Sequence, residues 1–96
     1  MKFENRNTEL RLVENEDANY AKLLLFLYRQ ASPEGLSLGQ MKKDMELMDV
    51  LEKNIEVESF DLPSESIESI KKIVNKSVWP IRHKDLITFY DYINSL

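Results

Sequence analysis

Apolar positions along the chain recur at two periods, and the changes of period mark its elements. Thr8 to Glu14 alternates, with Leu10 and Leu12 on one side and Glu9, Arg11 and Val13 on the other, which predicts a short half-exposed strand. Asn15 followed by Glu16 and Asp17 then reads as a helix start, an amide cap ahead of acids that suit the positive end of the helix dipole. The helix predicted over 16–31 carries Tyr20, Ala21, Leu23, Leu24, Leu25, Phe26, Leu27, Tyr28 and Ala31. That surface is wider than one stripe, so this helix should touch core on more than one side. Ser32-Pro33-Glu34-Gly35 ends it, because proline disfavours a helical predecessor and glycine turns cheaply.

Ser37 with Gln40 three residues on has the form of a capping box and opens a second helix over 38–53. Within it Leu38, Met41, Met45 and Met48 recur at helical spacing, and Leu47 and Leu51 add a flank. The methionines Met41, Met45 and Met48 read first as the core face and second as an adaptable partner groove, since thioethers repack around different shapes. Asn54 is placed as a left-handed stop. Ile55 to Ser59 alternates again and is matched antiparallel with the first strand, with Arg11 near Glu56 or Glu58.

Asp61 or Ser64 is expected to cap a third helix over 63–78 that buries Ile67, Ile70, Val74 and Val78. Pro80 closes it, and a fourth helix over 82–95 uses Leu86, Phe89, Tyr90 and Ile93. The expectation is an α+β fold of about four helices with one short two-stranded antiparallel ribbon. It is mainly helical and forms a single domain over 1–96, with residues 1–7 as a flexible lead-in.

Composition narrows the chemistry. With 96 residues, 43% of them hydrophobic and 31% charged, the chain has the make-up of one ordinary globular core and not of a disordered segment. No cysteine is present, which rules out disulfides, thiolate metal sites and a cysteine nucleophile, and suits a reducing compartment. The longest apolar run, Leu23 to Tyr28, is far too short to span a membrane, and the start of the chain lacks the pattern of a signal peptide. These features point to a soluble protein of the cytoplasm, away from membranes.

Catalytic groupings are scarce. His83 is the only imidazole, and Asp85 and Asp91 do not lie one helical turn from it, so it reads as a capping or exposed side chain. The acid clusters Glu14/Glu16/Asp17 and Asp44/Glu46/Asp49 read as solvated faces and caps. Gly35 and Gly39 are the only glycines, and neither lies in a phosphate-cradling loop. The sequence therefore predicts a non-enzymatic protein with no catalytic residue, metal or cofactor.

Charge supplies the main candidate surface. Net charge is −4, yet the stretch from Ser69 to Lys84 holds five Lys and Arg, the single His and the single Trp without an acid. Lys71, Lys72, Lys76, Trp79, Arg82, His83 and Lys84 are thus a candidate interaction face. Two partners suit it: an acidic protein surface, or a phosphate backbone with a base stacked on Trp79. Against the latter, residues 38–53 contain more acids than bases, and no recognition helix follows a tight helix turn.

Three segments together, MKFEN with the following Thr8, Leu10 and Leu12, the helix GLSLGQMKKDMELMDVLEK, and the closing WPIRHKDLITFY, resemble small uncharacterised proteins encoded in bacteriophage genomes. That resemblance implies an accessory, virion or host-interaction protein and transfers no functional residue. The combined expectation is a protein-interaction module that binds a host protein or self-associates as a homo-oligomer. A nucleic-acid-binding regulator using the basic 71–84 face is the alternative.

Overall fold

A computed structural model describes residues 1–13, 16–30 and 32–96, with nothing said of the Val13 side chain. The element order is β1 (Lys2–Glu4), β2 (Asn7–Val13), β3 (Glu16–Asn19), α1 (Tyr20–Arg29), α2 (Leu38–Lys53), β4 (Ser59–Asp61), α3 (Ile67–Lys76) and α4 (Lys84–Asn94). A single 3₁₀ turn at Ser64–Ser66 precedes α3. The class is α+β: among the described residues there are four helices and two separate two-stranded antiparallel sheets, β1 with β4 and β2 with β3.

The first helix begins later than its acids suggest. Glu16 to Asn19 folds back on β2 as a strand, with Arg11 opposite Asp17 and an Arg11 Nε to Asp17 Oδ1 contact of 3.2 Å. Ala18 is buried on this hairpin, and its carbonyl accepts the Thr8 hydroxyl at 2.6 Å. Asn19 supplies the cap, its Oδ1 accepting the Lys22 amide at 3.0 Å. The expected cap Asn15, the neighbouring Glu14 and the expected last residue Ala31 lie outside the described residues.

The second sheet also differs from expectation. Residues 55–58 form no strand; β4 starts at Ser59 and pairs with β1, setting Phe3 opposite Phe60. Two amide side chains explain the change, because Asn5 Nδ2 donates to the carbonyls of Ile55 and Val57 and Asn19 Nδ2 donates to Ile55. Those carbonyls thereby gain donors without a strand partner. Arg11 accordingly meets Asp17 and not Glu56 or Glu58. Residues 1–7, expected as a loose lead-in, hold β1, and Phe3 is fully buried.

α1 is the centre of the fold. Leu23, Leu24, Leu25 and Leu27 are all buried, and α2, α3, β2 and β3 pack around them. An aromatic layer closes one side: Phe3 lies 5.4 Å from Phe60 and 5.7 Å from Tyr92, and Tyr20 lies 5.0 Å from Phe89, ring centre to ring centre. These tilted and edge-on pairings suit the ring quadrupoles and tie β1, β4, α1 and α4 together. The turn before α2 uses Gly35 at φ +76°, where a side chain would be strained.

α3 is shorter than expected. Neither Asp61 nor Ser64 caps it through a side chain, and Ser77 ends it in an extended conformation. Val78, placed in the core by spacing alone, therefore lies past the helix and is 90% exposed. In α4, Leu86, Phe89 and Ile93 are buried as expected, but Tyr90 faces outward and Tyr92 packs against the core instead. Among the described residues, no helix is long and apolar enough to cross a membrane.

Candidate interaction surface

α2 forms over the span expected. Ser37 Oγ accepts the Gln40 amide at 3.1 Å, satisfying one orphan donor of the first turn. The Gln40 side chain does not reach back; it donates to Asp44 at 2.8 Å. At the other end Asn54 is not left-handed, with φ −111°, and its side chain donates to the Val50 carbonyl.

α2 buries the flank of its expected apolar surface and not the Leu38, Met41 and Met45 side. Leu47 and Leu51 are its buried residues, with Met48 and Val50 packed at the edge of the core. Leu38 is 81% exposed, Met45 59% and Met41 41%. Met41 and Met45 therefore do not form core, and only Met48 partly does. Leu36, just before the cap, is also exposed. A helix whose one apolar side is already docked thus carries a second, bare apolar stripe along its N-terminal half, which a small chain would lose nothing by making polar.

The basic face is dispersed among different neighbours. Lys71 donates to the Leu96 carbonyl. Lys72 and Lys76 line a groove of about 730 Å³ between α2 and α3, and share it with Glu34, Asp44, Glu46, Glu65 and Glu68. A groove with more carboxylates than lysines offers a phosphate chain little net attraction.

Trp79 is neither core nor a free stacking platform. It is half-buried, its ring packs on Phe26 at 5.6 Å with 30° between planes, and its indole N–H donates to Ser77 Oγ at 3.1 Å. Arg82 and Lys84 are exposed. His83 is the cap of α4, its Nδ1 accepting the Asp85 amide at 3.0 Å.

His83 does meet a carboxylate that spacing alone had discounted. Asp85 Oδ2 lies 3.8 Å from His83 Nδ1 and accepts the Glu9 amide at 2.9 Å, and Glu9 joins the same cluster. Backbone donors already occupy the near atoms of both side chains, so the cluster is a joint between β2 and the start of α4. An apolar cleft of about 430 Å³ lies elsewhere, floored by Leu12, Ala18, Leu25 and Ile55. At its mouth Lys22 pairs with Glu16, and Arg29 pairs with Glu52 at 2.9 Å.

Neither family models nor curated proteins nor solved structures give a match to this chain.

Proposed function

We propose that the protein is a small accessory interaction module that binds another polypeptide through the outer face of α2. The observation that carries this reading is the exposure of Leu38, Met41 and Met45 on a helix already anchored by Leu47 and Leu51. Methionine is flexible and polarizable, so such a stripe adapts to a partner's contours. The nucleic-acid alternative is disfavoured by the acids that share the groove with Lys72 and Lys76, and by the coverage of one Trp79 face by Phe26.

The test is cross-linking with a photo-reactive methionine analogue at working concentration in the cells that make the protein. Met1 serves as an internal control, being 50% exposed in β1's lead-in, apart from α2. Polypeptide cross-links at Met41 and Met45 but not at Met1 support the reading. Absence of cross-links at both positions overturns it. Nucleic acid held at low salt and lost in Lys72→Glu/Lys76→Glu replaces it with the alternative.

A further inference from the structure

We propose that α2 docks antiparallel against α2 of a second copy of this chain, with Met45 at the two-fold axis and Lys42 of each copy beside Asp49 of the other. This rests on α2's outer face being the recognition surface and names what covers it. At helical spacing Leu38, Met41 and Met45 fall within about 60° of one another, on the side away from Leu47 and Leu51. Lys42 and Asp49, two turns apart, share one border of that stripe.

Charge selects both the occupant and its direction. The first half of α2 carries Lys42 and Lys43 with Asp44, a net positive charge, and the second half carries Glu46, Asp49 and the Arg29-paired Glu52 with Lys53, a net negative charge. Among the described residues none of Lys42, Lys43, Glu46 and Asp49 forms an ion pair within the chain. The helix is therefore complementary to itself when reversed. An antiparallel pair centred on Met45 sets Lys42 beside Asp49 twice, brings Met41 over Met48, and opposes the two helix dipoles favourably. A parallel two-fold pair would place the Lys42/Asp49 borders of the two copies on opposite sides of the seam, so neither ion pair could form.

One helical face covers less than the roughly 800 Å² per partner of a standard interface. The dimer is accordingly weak, with a dissociation constant on the order of 10–100 µM that rises with salt.

The chain's lack of cysteine makes a clean test possible. Lys42→Cys and Asp49→Cys variants are prepared, mixed and oxidised gently, and the disulfide products are counted. The antiparallel pair predicts a mixed 42–49 disulfide at least about tenfold above either like-with-like product, since only partners within disulfide reach can join. Predominant 42–42 and 49–49 products overturn the antiparallel arrangement, and no disulfide at millimolar protein overturns the dimer. As a second reading, Lys42→Glu and Asp49→Lys should each weaken association about tenfold and the double exchange should restore it; failure to restore counts against the proposal. If the purified chain stays monomeric while methionine cross-links to a different polypeptide appear in cells, the second copy is overturned and the α2 face stands. If neither is seen, both fall.

Discussion

The Asn5 side chain accepts the Ala21 amide through Oδ1 at 2.8 Å, joining the turn after β1 to the first turn of α1. The same amide group donates to Ile55 and Val57 at 3.2 and 3.0 Å. One buried side chain thus connects the N-terminal ribbon, the central helix and the turn after α2. Few substitutions elsewhere could separate three elements at once.

Replacing Asn5 by Ala leaves the buried Ala21 amide and the partly buried Val57 carbonyl without this partner, while the Ile55 carbonyl keeps the Asn19 side chain. The expected cost is about 2–4 kcal/mol, since each buried polar group left unpaired costs about 1–3 kcal/mol. Thermal unfolding should show the midpoint falling by about 10 °C or more. Asn5→Asp keeps the acceptor for Ala21 but loses the donors, and should also destabilise. A midpoint within about 2 °C of the parent for Asn5→Ala would contradict this role.

Tyr28 gives the fold an alkaline limit. Burial between α1 and α3 pushes its phenol up to about 12 from the ordinary 10.0, partly offset by a 3.0 Å hydrogen bond shared with Ser69. Burial shifts Tyr20 in the same direction. Folded protein then retains a proton that unfolded chain releases, so the stabilisation is complete below about pH 10 and is lost as pH rises toward 12. Urea unfolding across that window should show stability falling with pH, with a shallower fall in Tyr28→Phe. An unchanged slope in that variant would show that the phenol does not drive the effect.

The two sides of α2 should respond differently to truncation. Leu51 is fully buried, so Leu51→Ala should cost about 2–5 kcal/mol through lost burial and a residual cavity. Met45→Ala on the bare side should change monomer stability by no more than about 0.5 kcal/mol. Denaturant midpoints at low protein concentration compare them directly. Equal losses would mean that Met45 is packed against the body after all.

Local signals are legible in the sequence, and long-range ones are not. The Ser37 cap and apolar spacing located α2, and alternation located β2. Periodicity could not say which of two apolar stripes on α2 faces inward, because Leu38/Met41/Met45 and Leu47/Leu51 both satisfy a helical repeat. Burial decides it: only Leu47 and Leu51 are shut away from solvent. Glu16 to Asn19 looked like a first helical turn because its acids suit a helix start, but pairing with β2 outweighed that preference. The β1–β4 pairing spans most of the chain and is set by Phe3 against Phe60, a match that no local pattern displays. The basic stretch from Ser69 to Lys84 is legible as a cluster only in one dimension, since Lys71 bonds the Leu96 carbonyl, Trp79 packs on Phe26 and His83 caps α4, while Lys72 and Lys76 line the groove beside α2.

Sedimentation equilibrium of the full chain beside Met45→Lys tests the central claim, that α2 pairs with itself, most directly. The parent should fit a reversible monomer–dimer equilibrium between roughly 10 µM and 1 mM, weaker at higher salt. Met45→Lys, which sets two ammonium groups against each other at the axis, should stay monomeric with unchanged circular dichroism. A parent that remains monomeric throughout that range, or a Met45→Lys variant that dimerises as well as the parent, would contradict it.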